Sequence, residues 1–135
     1  MRIPFDKGLL GHSDADALTH SIIDALLGAS AQKDIGRTFG VKKPAYKGIK
    51  SIKLLKKVFA KIKKIGWYIN NIDSVIVCEK PKLAKYIPRM ERNLSKVLEI
   101  PLNSVNVKAT TSKGLGCIGK GEAIASYSII SILSN

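Results

Sequence analysis

The sequence predicts an α+β fold: a single domain in which a small mixed β-sheet carries helices packed on one face. Three observations predict it. Stretches with apolar residues at helical spacing and stretches rich in β-branched residues follow one another as helix, helix, strand, helix, strand, strand. The 135 residues contain neither an internal repeat nor a linker. Their 45% apolar content suits one ordinary globular core.

The start, MRIPFDKGLL, reads as a strand end or turn followed by a glycine-bounded loop, without the layout of a signal peptide. From Ser13 to about Ser30, Ala17, Leu18, Ile22, Ala25, Leu26 and Ala29 recur at helical spacing, and Gly28 weakens the end of that helix. KDIGRTFGVKKPAYKG reads as an irregular surface loop, of a length that usually serves function. Ser51 is expected to cap a second helix. Its Ile52, Leu55, Phe59 and Ile62 form a stripe widened by Val58 and Ile65, with six lysines on the other side and Gly66 at the end.

Trp67 to Cys78 reads as a buried strand ending in VIVC, which Pro81 breaks. A third helix is expected around Tyr86 to Leu98, with Ile87, Met90, Leu94, Val97 and Leu98 inward and Pro88 in its first turn. PLNS makes a turn before a second strand, Val105 to Thr111. In GEAIASYSIISIL, Ile124, Ser126, Ser128, Ile130 and Ile132 alternate with Ala123, Ala125, Tyr127 and Ile129, and the isoleucines favour a strand over a helix.

The net charge of +13 points to anionic partners: nucleic acid, a membrane surface or a phosphorylated small molecule. Lysines spread over 42 to 64 and beyond, with few aromatics to stack on bases, and no standard nucleic-acid motif appears. No apolar run reaches membrane-spanning length. The expectation is therefore no nucleic acid and no membrane, with a solvated lysine face. Cys78 and Cys117 form neither a metal spacing nor a disulfide framework, so they read as reduced thiols in an intracellular compartment.

GHSDADALTHSIID concentrates both histidines of the chain among aspartates. In a helix opened near Ser13, Asp16, His20 and Asp24 share one face, and an imidazole flanked by carboxylates suits metal ligation or proton handling. His12 precedes the helix, where free N–H groups and the dipole favour a phosphate. Equally, Ser13 with Asp16 makes a capping box that needs no further role.

GLGCIGKG contains two misleading glycine patterns. Gly114, Gly116 and Gly119 match GxGxxG, but no acidic residue follows at the distance a dinucleotide fold requires. Gly114, Gly119 and Lys120 approach a Walker loop, but Gly121 stands where its magnesium-binding hydroxyl belongs. What survives is a strand ending ATTS beside Lys113 and Lys120, whose hydroxyls, free N–H groups and cations can hold phosphate oxygens. A tight glycine turn before the last strand is the alternative.

GHSDAD, the histidine eight residues after His12, DALLGA, DIG, the PK of CEKPK, IPRM, VNVKATT and GKGE stand in order along the chain. Their order and spacing resemble the 2-C-methyl-D-erythritol 2,4-cyclodiphosphate synthase family of the non-mevalonate isoprenoid pathway, from Arg2 to the last strand. The resemblance implies an enzyme that closes a cyclic diphosphate and releases CMP. It implies a zinc ion that aligns the reacting phosphate, a magnesium or manganese ion on the diphosphate, and a homotrimer with sites between subunits. The implied compartment is cytoplasmic or plastid.

Carried over by position, His20 matches a zinc ligand, and His12 and Thr111 match the pair that stabilises the transition state. Ser13 matches a contact to the erythritol phosphate, and Asp34 and Gly36 match ribose contacts, with Ile35 and Phe39 in the same substrate-binding stretch. Cys78 to Ala84, including Lys82 and Leu83, matches the cytidine and diphosphate wall, completed by Ala109 and Thr110. Lys113, Cys117 and Lys120 are expected to touch substrate, and Lys120 with Glu122 stands where the family has an Arg and a Glu near the trimer axis.

The departures run from acidic to basic. Lys113 takes the place of a metal-binding glutamate, FGVKK stands for FPDTD, and Lys50 replaces an aspartate. The family's Asp-x-His strand, with the other two zinc ligands, would precede Met1. The synthase reading leads. A family member that keeps the trimeric fold and a nucleotide pocket without zinc-dependent turnover stands second, and a basic nucleic-acid module third.

Overall fold

The structure is a computed structural model and describes residues 17–33 and 50–134. Helix α1, Ala17–Ala29, buries Leu18, Thr19, Ile22, Ile23, Leu26 and Leu27. That band is wider than one amphipathic stripe because α1 packs on a strand along one side and on the next helix along another. The helix closes in a Schellman arrangement, with Ala31 at φ 57° and Gln32 N–H reaching the Leu27 carbonyl at 2.7 Å. The stop therefore falls beyond Gly28.

Helix α2 spans Ser51–Ile65 and is capped by Lys50, whose side chain makes no capping hydrogen bond. This corrects the expected Ser51 cap: Ser51 lies inside the helix, buried, with its Oγ 3.0 Å from His20 Nε2. Leu54, Leu55, Val58 and Ile62 form the buried stripe. Ile52 and Phe59 lie at its margin and Ile65 is 50% exposed, so the stripe is rotated towards Leu54 relative to the expectation. Gly66 ends the helix at φ 116°, a left-handed conformation that side chains resist.

Strand β1, Trp67–Val77, is the middle of a three-stranded sheet with β2, Val105–Thr110, parallel on one side and β3, Ala125–Ser134, antiparallel on the other. The pairing with β3 shifts register between Ile69 and Asn71. The extra residue lets both Ile69 and Ile72 face the core although they differ in parity. Between β1 and β2 run a short 3-10 turn, Ala84–Tyr86, helix α3, Ile87–Leu98, and a second turn, Leu102–Ser104. Pro88 sits in the first turn of α3, as expected, and Met90, Leu94 and Leu98 point inward. A one-turn helix α4, Gly116–Gly119, precedes β3.

The helices cover one face of the sheet, where Ile72, Ile76, Val107 and Ile130 meet Leu26, Leu55, Ile62 and Leu98 in a single core. On the other face Tyr127 is 65% and Ile129 76% exposed.

A hydroxyl chain crosses the core side between α1 and the sheet. Ser21 Oγ donates to the Leu18 carbonyl at 2.8 Å, so it accepts from Ser126 and Ser128 at 2.9 and 2.7 Å. Ser128 has then used its only proton and accepts from Ser74, which is 1% exposed, at 2.7 Å. Ser128→Ala is expected to cost about 1–3 kcal/mol by orphaning the Ser74 hydroxyl. Adding Ser74→Ala should recover part of that loss in denaturant titrations, and equal losses for single and double variants would refute the chain.

Candidate active site

The parallel strands β1 and β2 end side by side. Val77 pairs with Thr110, and the Cys78 N–H donates to the Thr110 carbonyl at 2.9 Å. Segments 78–86 and 111–124 therefore leave from one edge of the sheet, the carboxyl end of a parallel pair, where open α/β sheets place ligands. Cys78, Lys82, Leu83, Ala84, Ala109, Thr110 and Thr111 are brought to this edge, followed on the same segment by Lys113, Cys117 and Lys120.

On the first segment, Cys78 and Leu83 are 5% and 7% exposed and belong to the core. Their backbone is what this edge presents outward. Pro81, Lys82, Ala84, Lys85 and Tyr86 line a shallow cavity of about 440 Å³. The Lys85 ammonium lies 5.1 Å from the Tyr86 ring centre, so two lysines edge this cavity. Lys85 carried no signal in the sequence, being one lysine among many.

The Cys78 Sγ donates to the Lys80 carbonyl at 3.2 Å. Burial pushes its pKa up, opposed by a Lys80 backbone hydrogen bond and aided by the charge of Glu79. Cys117 is exposed. An aromatic disulfide reagent at mildly alkaline pH is expected to modify Cys117 in the native protein and Cys78 only on unfolding. Equal rates for both thiols would contradict this.

On the second segment, Thr111 Oγ1 accepts the Lys113 N–H at 3.2 Å, which leaves the threonine proton to donate outward. Many of the N–H groups expected to be free have acceptors. Ser112 N–H donates to Glu79 Oε2 at 3.1 Å and Gly114 N–H to Glu79 Oε1 at 2.9 Å. Leu115, Gly119, Lys120, Gly121 and Glu122 N–H groups reach carbonyls within the segment. At the Ser112 to Gly114 turn an anion would therefore be met by the Thr111 hydroxyl and by the exposed Lys113 and Lys120, rather than by the turn's own amides. Sequence reasoning missed Glu79, although it is the only acidic residue of CEKPKLAKY.

His20 is exposed on α1, and among the described residues its ring hydrogen bond goes to Ser51. Asp24 is exposed one turn on. His12, Ser13, Asp16, Asp34, Ile35, Gly36 and Phe39 lie outside the described residues. Among the described residues no three His, Cys, Asp or Glu side chains converge. A catalytic zinc takes three protein ligands, so the described residues alone do not hold one. His20 supplies a single donor.

The fold defines a small α+β protein with lysines and a threonine gathered where two parallel strands end. The chain belongs to the YgbB family, whose profile matches residues 1–133. It is 52% identical over 130 residues to the 2-C-methyl-D-erythritol 2,4-cyclodiphosphate synthase of Desulforamulus reducens, covering 96% of this chain and 83% of that protein. The synthase of Clostridium acetobutylicum is 54% identical over 129 residues, with the same coverage of 96% and 83%. Among solved structures, the bifunctional IspDF from Campylobacter jejuni superposes with a TM-score of 0.90 at 36% identity, covering 98% of this chain. The chain spans 36% of that longer protein. IspF of Plasmodium falciparum, solved as a CDP complex, gives a TM-score of 0.81 at 32% identity over 93% of this chain and 76% of its own.

Proposed function

We propose that the chain is a 2-C-methyl-D-erythritol 2,4-cyclodiphosphate synthase. It converts 4-diphosphocytidyl-2-C-methyl-D-erythritol 2-phosphate to the cyclic diphosphate and CMP. The observation that carries this reading is the meeting of the Lys82 cavity and the Thr111–Lys113 turn at one sheet edge, in a chain half identical to synthases. An oxygen of the 2-phosphate forms a bond to the β-phosphorus. The bond from that phosphorus to the bridging oxygen breaks, and CMP leaves with the oxygen and its electron pair.

Such a transfer needs positioning and charge stabilisation more than a protein nucleophile. In this reading Lys82, with the backbone of Cys78, Leu83 and Ala84, holds the cytidine diphosphate, and Ala109 and Thr110 complete the wall. The Thr111 hydroxyl donates to the charge that develops on phosphate oxygens, a role His12 shares, while Lys113 and Lys120 supply cations. Ser13 takes the erythritol phosphate, and Asp34, Ile35, Gly36 and Phe39 form the ribose side. Cys117, exposed on the same segment, touches substrate in this reading.

The family is metal-dependent. Zinc at His20 and magnesium or manganese on the diphosphate belong to this reading, and each would polarise phosphate oxygens when bound. The enzyme is placed in the cytoplasm as a homotrimer, with the exposed face of the sheet turned towards its neighbours. No helix among the described residues is long and apolar enough to cross a membrane.

One observation favours a second reading, a nucleotide-binding family member without turnover. Lys113, exposed on the turn beside Thr111, would repel a second metal. CMP release from the diphosphocytidyl substrate, measured with zinc content and CDP affinity, separates the two. CMP formation with about one zinc per subunit is the expected result. CDP binding without zinc or CMP would establish the second reading, and neither binding nor release would overturn both.

A further inference from the structure

We infer that Glu79 is a positioning residue for the reaction: its carboxylate fixes the turn that presents Thr111 and Lys113 to the substrate wall. The inference rests on the proposed function. Glu79 is half-buried one residue beyond Cys78, where the ends of β1 and β2 are joined through the Cys78 N–H. Its side chain reaches the opposite segment. Oε2 accepts the Ser112 N–H at 3.1 Å and Oε1 accepts the Gly114 N–H at 2.9 Å, while the Ser112 hydroxyl gives its one proton to the Leu115 carbonyl at 2.8 Å and closes the turn on itself.

Both oxygens are thus used on a turn thirty-odd residues away, and among the described residues Glu79 forms no ion pair with the nearby lysines. Hydrogen bonds to an ionised acceptor are roughly twice as strong as neutral ones, and here they flank one residue on each side. That residue is Lys113, held at φ 55°, a conformation that residues with a β-carbon seldom adopt. Thr111 precedes the first clamped amide directly, and its Oγ1 accepts the Lys113 N–H.

Two consequences follow from this placement. The turn moves as one unit with the segment that carries Lys82, so the two halves of the site keep their separation. Phosphate oxygens are also denied the Ser112 and Gly114 amides and must be met by the Thr111 and Lys113 side chains. Without the carboxylate, those two amides lose their acceptor, and the turn loses what holds Lys113 in the left-handed region.

The test compares Glu79→Ala and Glu79→Gln with the full-length parent, by amide exchange at Ser112 and Gly114 and by steady-state CMP release. In E79A both amides are expected to exchange faster, and kcat to fall about 10–100-fold, since misplacement by about an ångström can cost two orders of magnitude. KM should move far less, because the Lys82 wall is untouched. E79Q matches the parent in shape, keeps one acceptor oxygen and is expected to fall between the two. It also serves should E79A not fold. An unchanged kcat in E79Q and E79A, or a loss carried by KM alone, would overturn the inference. A parent protein that released no CMP would instead overturn the functional reading on which it rests.

Discussion

Gly119→Ala is expected to dismantle the turn after β2 and to lower CMP release by more than about 100-fold. A β-carbon on Gly119 would lie 2.1 Å from the Gly114 carbonyl carbon and 2.5 Å from its oxygen. Both are backbone atoms, so no side chain can swing aside. The backbone of Gly119 is itself helical, in α4, and its N–H is tied to the Leu115 carbonyl at 3.0 Å, which prevents the glycine from backing away. Gly114 must therefore move, and its N–H is one of the donors held by Glu79. The displacement would run through Lys113 to Thr111. Overpacking of this kind costs about 1–3 kcal/mol, and no core side chain needs to change with it. The expected signature is a modest fall in thermal midpoint with a large fall in turnover. Wild-type turnover in G119A would show that the approach of α4 to the turn is irrelevant to the site.

Much of the fold was legible because it depends on neighbours in sequence. VIVC and the isoleucine-serine alternation after Gly121 gave strands, Pro88 and the Met90, Leu94, Leu98 spacing gave α3, and Gly66 ended α2. What escaped depends on contacts between distant residues. Leu54 is buried and Ile65 exposed because of where α2 meets α1, which no single-helix pattern records. Ser51 looks like a cap, but Lys50 already provides the extended residue at φ −68° and ψ 142°, and the serine turns to His20, thirty-one residues earlier. The bulge between Ile69 and Asn71 leaves no mark beyond a parity break.

The site divides in the same way. Lys82, Thr111 and Lys113 stood out as chemistry on segments flanking strands, and the parallel pairing of β1 and β2 brings those segments together. The N–H groups of the glycine turn seemed free because their acceptor, Glu79, lies on the other segment. Periodicity places side chains on faces. It does not report which backbone donors are already bonded.

Ile129→Lys is expected to convert the proposed trimer to monomers and to remove CMP release with it. Ile129 is 76% exposed in the isolated chain, on the sheet face away from the helices, two residues from Tyr127 at 65%. Burying an isoleucine contributes about 1.5–3 kcal/mol per subunit. A lysine in the same place removes that gain and must shed the water around its ammonium when the face is covered, a cost that the symmetry of a trimer repeats in each subunit even with Asp73 nearby. Lysine is the informative choice because Ile129 pairs across the sheet with Asp73. The Asp73 carboxyl is held below its ordinary range, chiefly by a hydrogen bond from Lys108 and also by one from Asn106. A lysine at 129 would therefore face an ionised partner across the strand pair, and the monomer fold should tolerate it. A glutamate would oppose Asp73 and confuse loss of assembly with loss of folding. Sedimentation is expected to show a folded monomer for I129K and a trimer for the parent. Because the proposed sites lie between subunits, turnover should vanish although no substrate contact has changed. A trimeric, active I129K, or an active monomeric parent, would count against assembly through this face.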